Sequence, residues 1–166
     1  YQPFLSDNTV EAPAMPSWSA SSALIQMNED GSIKFNVGGI DYGQGTYTVL
    51  AQIIAERLHI PLEKVHVVNE TNTDTAPYDW QTVASRMTVL AGNAIIEACD
   101  DLVEQIYELG AIVLHAGKHE LSIGDQCVYV KQHPENMLPY NKIAIGYVYS
   151  NGNSIGGPLI GRGKSI

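Results

Sequence analysis

The chain has 166 residues, of which 45% are apolar and 16% charged, and its formal net charge is −9. That length is one domain or a piece of a larger one, able to bury roughly 68–70% of its unfolded surface without a disulfide or metal staple. The negative charge, with Lys and Arg scattered, excludes duplex nucleic acid and anionic membrane as partners, because no basic field would draw either.

Low charge also fits a surface partly covered by other protein. No apolar run approaches the roughly 18 residues of a membrane span, and the N-terminus lacks a secretory pattern. Cys99 and Cys127 are far apart and lack a Cys-x-x-Cys pattern. They read as free buried thiols in a reducing cytoplasm, not as a disulfide, zinc or iron–sulfur framework.

Residues 1–22 carry Pro3, Pro13 and Pro16 among small residues and read as an irregular lead. The opening at Tyr1 suggests a fragment or a processed product. Ala23 to Met27 is a short apolar strand, and Asn28-Glu29-Asp30-Gly31 is a turn. Ser32 to Val37 alternates, with Ile33, Phe35 and Val37 on one side, so the two strands form a half-buried hairpin.

Gly38-Gly39-Ile40-Asp41-Tyr42-Gly43-Gln44-Gly45-Thr46 follows. A strand, a glycine-rich turn and a helix start would bring unpaired backbone N–H groups to one place, an arrangement suited to an anion. A bare β–α turn that binds nothing would use the same residues. Val49, Leu50, Ile53, Ile54 and Leu58 then repeat at helical spacing until Pro61 stops the helix, and Val65 to Asn69 is a strand.

Glu70 to Ser85 is a polar stretch without a period, too long for a casual connection, with Tyr78 and Trp80 as candidate anchors. From Met87 to about Leu114 one stripe runs through Leu90, Ala91, Ala94, Ala98, Leu102, Ile106, Leu109 and Val113, a helix on the order of 40 Å long. Its first half is thin enough for a neighbouring backbone to approach. Asp100, Asp101, Glu104 and Glu108 read as its solvated face. A second hairpin, of His119 to Leu121 and Cys127 to Lys131, flanks Gly124-Asp125. Pro139 is expected to open a last helix through Ile143, Ala144, Tyr147 and Val148, with a strand as the alternative that the β-branched content there allows, and the glycine-rich tail from about residue 151 is expected to be extended. The expected fold is α+β in one compact domain: hairpin, helix, strand, long helix, second hairpin.

No catalytic constellation stands out. His115 and His119 lack a third ligand, and Gly117 interrupts the helix that would hold them, so no metal site is assigned. His59, His66 and His133 stand alone. Gly157 to Ser165 fails as a phosphate loop because Pro158 occupies the position of the first glycine and no helix follows. Ser85 and Thr82 lack a neighbouring base; Asp74 and Asp79 could serve as acid–base groups, although loop aspartates usually cap turns.

Read together, the two loops carry more. Gly38-Gly39, Gly43-Gln44-Gly45, Ala51 to Glu56, Leu58-His59-Ile60-Pro61, Asp74-Thr75-Ala76-Pro77, Gln81 to Arg86 and Gly92-Asn93-Ala94 form an ordered series. It resembles the molybdenum-cofactor-binding subunit of the xanthine dehydrogenase and aldehyde oxidase family, strongly over residues 20–115 and weakly beyond.

The resemblance implies that Gly43, Gln44 and Gly45 contact a pyranopterin cofactor (plain or dinucleotide), with Gln44 beside the molybdenum end. It implies that Thr82, Ala84 and Ser85 hydrogen-bond the pterin and its phosphate, and that Val83 and Ala84 border the substrate pocket. The metal would be held by cofactor sulfurs, so the chain needs no ligands of its own. Arg86 and Met87 depart from the xanthine oxidases, in which smaller or polar residues follow this turn, and point away from a purine substrate.

The family's reaction is hydroxylation of a heterocycle or aldehyde with water as oxygen source, and a glutamate in a distant downstream Gly-Glu motif acts as general base. The resemblance therefore implies a segment that is inactive alone and carries no cofactor by itself. Its partners would be the rest of the molybdenum subunit and iron–sulfur and FAD components, and an exposed apolar face could drive self-association. Two further readings compete: a non-catalytic cofactor-binding or assembly module, and a purely structural domain.

Overall fold

Alternation of apolar residues fixes the first sheet. In the computed structural model, which describes residues 20–68 and 72–166, β1 (Ser21–Met27) and β2 (Ile33–Val37) pair antiparallel from Met27↔Ile33 to Ala23↔Val37. Ala23, Ile25, Met27, Ile33, Phe35 and Val37 all point into the core. The turn between them closes through Asn28, whose carbonyl accepts from Gly31 N–H, and Gly31 takes φ +80°. Asp30 accepts from both the backbone N–H and the hydroxyl of Ser32. Residues 1–19 of the expected lead, Asn69 at the end of the expected strand and Glu70 and Thr71 of the polar stretch lie outside the described residues.

Helix α1 (Thr46–Leu58) buries Leu50, Ala51, Ile54 and Leu58 and carries the chain to β3 (Val65–Val67), which pairs parallel with β2. Parallel neighbours need such a crossover. Helix α2 (Arg86–Val113) follows the long loop and buries Met87, Ala91, Gly92, Ala94, Ile95, Ala98, Cys99, Leu102, Ile106, Leu109 and Gly110. The expected helix is therefore present almost to the residue.

Its C-terminal half supports a second sheet of β4 (Leu121–Gly124), β5 (Cys127–Val130) and β6 (His133–Pro139). Gly110 lets the side chains of Leu121 and Val128 rest on the helix. The β4–β5 turn uses Asp125 (φ 46°) and Gln126 (φ 63°) and forms the expected hairpin, although its first strand starts at Leu121 instead of His119. Buried Tyr140 donates its hydroxyl to the Leu58 carbonyl at 3.0 Å, tying this sheet to the end of α1.

The helix expected after Pro139 does not form. A single turn spans Tyr140–Lys142, and the chain then makes a short hairpin of β7 (Tyr147–Val148) and β8 (Ser154–Ile155). Gly146 is the cause: it sits at φ +98°, where a Cβ would lie 2.8 Å from the Ile155 carbonyl oxygen. The apolar residues at 143, 144, 147 and 148 imitate one helical face without a helix.

The extended tail is a structural strand. β9 (Ile160–Ser165) pairs antiparallel with β1, giving the sheet order β3-β2-β1-β9. Gly161 and Gly163 face α2 so closely that a Cβ would meet the Ala98 and Ala94 carbonyl oxygens at 2.0 and 1.9 Å. The outward N–H groups of the same strand donate to side chains of α2: Lys164 to Glu97 (2.8 Å), Arg162 to Asp101 (2.9 Å) and Ile160 to Gln105 (3.3 Å). Four residues of helix rise about 6.0 Å and two of strand about 6.8 Å, so the two rows stay in step.

The acidic residues of α2 are thus exposed, as expected, and also engaged: Asp100 with Arg57, and Glu104 and Glu108 with Lys118. Both cysteines are free and buried, and burial pushes the Cys99 thiol up to about 12. Among the described residues, no helix is long and apolar enough to cross a membrane.

Replacing Gly163 by Ala forces α2 off the sheet and should lower unfolding stability by about 3 kcal/mol or more. Gly157→Ala, where a Cβ meets nothing within 4 Å, should stay within about 0.5 kcal/mol. Denaturant titration of both variants checks the contrast.

Candidate functional site

Two turns, one before each helix, line a single cleft of about 460 Å3. The first contributes Tyr42, Gln44 and Thr46, and the second Thr82, Val83, Ala84, Ser85 and Arg86, with Val49, Met87 and Thr88 behind them. Gly43 and Gly45 do not line it; they give the first turn its shape, at φ +108° and +80°. A direct hydrogen bond joins the turns, from the Ile40 N–H to the Thr82 hydroxyl oxygen at 2.9 Å.

Close packing explains why they meet. A Cβ on Gly38 would lie 2.3 Å from the Pro77 carbonyl oxygen and 2.8 Å from the Asp79 nitrogen, and one on Gly39 would lie 2.1 Å from the Met87 methyl. Glycine at both positions lets the long loop and the start of α2 lie directly on the chain leaving β2. Tyr47 donates its hydroxyl to the Gly39 carbonyl at 3.0 Å and braces the same segment from α1.

The first turn is closed from within. Asp41 accepts from the N–H groups of Gly43 (2.8 Å), Gly45 (3.3 Å) and Tyr47 (3.1 Å). Gln44 folds back: its Oε1 accepts from Tyr42 N–H at 2.6 Å, and its Nε2 donates to the Ile40 carbonyl at 3.0 Å and the Thr46 hydroxyl at 2.8 Å. Four of the amides expected to be unpaired from the glycine pattern, those of Tyr42, Gly43, Gly45 and Tyr47, are therefore already taken, which corrects that expectation for them. An aspartate two residues before a glycine bonds the backbone ahead of it, so the signal stood in the sequence unread.

Hydrogen bonds from Gly43 and then Tyr47 hold the Asp41 carboxyl below its ordinary value of 3.8. Because its folded value is depressed, its contribution is complete above that ordinary value and is lost as pH falls through the lower one.

The second turn hangs on an ion pair. Arg86 donates from one guanidinium nitrogen to Asp79 at 2.8 Å and to the Gln81 carbonyl at 2.6 Å, and from another to the Ala20 carbonyl at 3.3 Å. The Asp79 side chain is only 2% exposed and that of Arg86 11%. Ser21 donates its hydroxyl to the other Asp79 oxygen at 2.5 Å, and Ser22 N–H donates to the Tyr78 carbonyl at 2.8 Å. The loop is thereby sewn to the start of β1. Trp80, 5.8 Å from the Arg86 guanidinium, flanks the pair. The anchor is Asp79 more than the aromatic rings, since Tyr78 and Trp80 remain exposed.

Ala84 and Ser85 both take left-handed φ, 51° and 57°, and bring the chain sharply into α2. No side chain among the described residues caps that helix start. The cleft lining is neutral: the hydroxyls of Thr46, Thr82, Ser85 and Thr88, the Gln44 amide, and the apolar Tyr42, Val49, Val83 and Ala84. Arg86 contributes to the wall but its guanidinium is engaged with Asp79, and Met87 is packed under Gly39. Tyr42 is 73% and Val83 43% exposed, an apolar rim open to a covering partner. The larger cavity, about 660 Å3, lies elsewhere, beside Lys64, Gln126 and Met137, and contains none of the expected site residues.

Removing Asp79 strands Arg86 in a mostly buried position, so Asp79→Ala should cost about 3–5 kcal/mol in a denaturant titration. The backbone amide proton shifts of Gly43 and Tyr47 should titrate with a midpoint below the ordinary value of 3.8. A midpoint above that value would contradict the closure of the turn by Asp41.

Comparison with known proteins agrees with this architecture. The family model described as "Molybdopterin cofactor-binding domain" matches residues 5–164. The xanthine dehydrogenase molybdenum-binding subunit of Escherichia coli O157:H7 is 32% identical over 118 residues, covering 71% of this chain and 16% of that protein. Xanthine dehydrogenase of Blastobotrys adeninivorans is 40% identical over 86 residues, 52% of this chain and 6% of that one. Among solved structures, reconstituted CO dehydrogenase from Oligotropha carboxidovorans superposes with a TM-score of 0.76 at 30% identity, covering 87% of this chain and 18% of that chain. Quinoline 2-oxidoreductase from Pseudomonas putida 86, at 23% identity and a TM-score of 0.73, shares the fold. The chain thus spans a small part of each relative, and with its family model matched over nearly its whole length it belongs to the molybdopterin cofactor-binding domain family.

Proposed function

We propose that this chain is a segment of the molybdenum subunit of a hydroxylase like the xanthine dehydrogenases and aldehyde oxidases, and that its cleft holds one side of the molybdopterin. The observation that carries the reading is the joining of two turns some forty residues apart in sequence by the Ile40–Thr82 hydrogen bond around one neutral cleft. Hydroxyls and one carboxamide match the amide-like edges of a pterin, which need neutral donors and acceptors in fixed directions.

In this reading Gln44 meets the cofactor from the first turn, with Gly43 and Gly45 shaping its approach. Thr82, Ala84 and Ser85 meet it from the second, and Val83 and Ala84 reach the substrate. When bound, the group supplies the redox chemistry by which a carbon of a heterocycle or aldehyde gains an oxygen from water. The residues of this chain orient it, and the exposed rim at Tyr42 and Val83 excludes water once covered by other parts of the subunit. The general base comes from another part of the subunit, electrons leave through iron–sulfur and FAD components, and the isolated segment is inactive. The cytoplasm is the compartment that fits its two free thiols.

Replacing Gln44 and Thr82 together by Ala in the full-length subunit should lower bound molybdenum and pterin per polypeptide roughly tenfold, the loss expected from two or so hydrogen bonds. Unchanged cofactor content would overturn the assignment. Oxidation of an aldehyde or aromatic heterocycle by the chain alone would overturn its reading as a segment.

A further inference from the structure

Glycine-rich turns at helix starts usually keep their amides for a ligand's anionic group. This one does not. The Asp41 carboxylate lies inside the turn, on the N–H groups of Gly43, Gly45 and Tyr47, where such an anion would sit. The left-handed φ of both glycines aims those N–H groups at Asp41, and the ring they close includes Gln44.

Gln44 is locked by the same loop. Its carboxamide spans the Ile40 carbonyl, the Tyr42 N–H and the Thr46 hydroxyl, the residues on either side of the Asp41 contacts. Both Nε2 protons are used and one Oε1 lone pair is left, so in this orientation the side chain offers the cleft only an acceptor.

We propose that Asp41 is the positioning residue of the first turn: its carboxylate closes the amides to anions and fixes the Gln44 carboxamide, so that the turn meets its ligand through a neutral acceptor. Only the identity of that ligand rests on the molybdopterin reading. The closure belongs to the chain itself and is measurable without cofactor.

The test uses the backbone amide resonances of Gly43, Gly45 and Tyr47 and the side-chain NH2 pair of Gln44 in the cofactor-free chain. Wild-type protein titrated with formate or inorganic phosphate should show no saturable shift at these amides. Asp41→Gly should move all three amides and the Gln44 pair, and millimolar formate should return them toward their wild-type positions, an external carboxylate replacing the missing one. Asp41→Asn, nearly the same size, should move the amides and the Gln44 pair while leaving the far-ultraviolet helical signal unchanged, which covers the case in which the glycine variant fails to fold.

Saturable binding of either anion at the wild-type turn would overturn the proposal. So would an Asp41→Asn spectrum in which the Gln44 pair stays put. In the full-length subunit, Asp41→Asn should lower bound pterin at least fivefold and Asp41→Glu should restore at least half of it. If Gln44→Ala with Thr82→Ala lowers pterin and Asp41→Asn does not, positioning by Asp41 fails while the cofactor reading stands. If neither change affects pterin but the amides respond as described, the cofactor reading fails and closure of the turn stands.

Discussion

The contact on which the rest depends is the one between α2 and β9, where two backbones touch without side chains between them. Ala94 and Ala98 on the helix face Gly161 and Gly163 on the strand, and any Cβ at those glycines would overlap a helix carbonyl. Glu97, Asp101 and Gln105 accept from the alternate N–H groups of the same strand. Backbone contact fixes the distance and the hydrogen bonds fix the register, so α2 can neither slide nor rotate on the sheet. The same bonds occupy the outer N–H groups of an edge strand that would otherwise be open to foreign pairing.

A helix held in that way delivers its N-terminus to a fixed place. About two turns before Ala94, Met87 lies under Gly39 and the left-handed pair Ala84-Ser85 turns the chain toward the first loop. The cleft is therefore built by the core and not by the loops that line it. Two aspartates complete it by different means. Asp79 is buried and paired, and pulls its loop onto β1 through charge and a serine hydroxyl. Asp41 shapes its own turn through hydrogen bonds to neighbouring amides, whose preference for the ionised carboxylate appears in its lowered pKa.

Much of this was legible in the sequence where one signal sufficed. The period-two pattern of Ile33, Phe35 and Val37 and the helical stripe from Met87 depend on burial of one face, and both elements formed with those faces inward. Small residues in the first half of α2 announced a close neighbour, but β9 as that neighbour was not legible, because pairing of residues 21–26 with 160–165 leaves no local trace. The stretch after Pro139 misled because Ile143 and Ala144 are buried, as a helix there would require, while Gly146 at positive φ ends any helix before Tyr147. Apolar spacing over so few residues cannot separate a helix from a folded-back strap. At the site, the residue types of both turns were legible and their hydrogen bonds were not: the acceptor for the first turn is an aspartate of the turn itself.

That substitution of an internal carboxylate for a ligand has a physical consequence for the cleft as a whole. A turn with open amides stays electropositive and loosely ordered until an anion arrives, and the ordering cost then falls on the binding step. A turn already closed by Asp41 has met that cost during folding and keeps the amides of Gly43, Gly45 and Tyr47 occupied. The second turn differs, for no side chain among the described residues caps α2, and its left-handed entry leaves the helix start beside Thr82 and Ser85. The two sides of the cleft are thus chemically unlike, one satisfied and shape-determining, the other with hydrogen-bonding capacity in reserve.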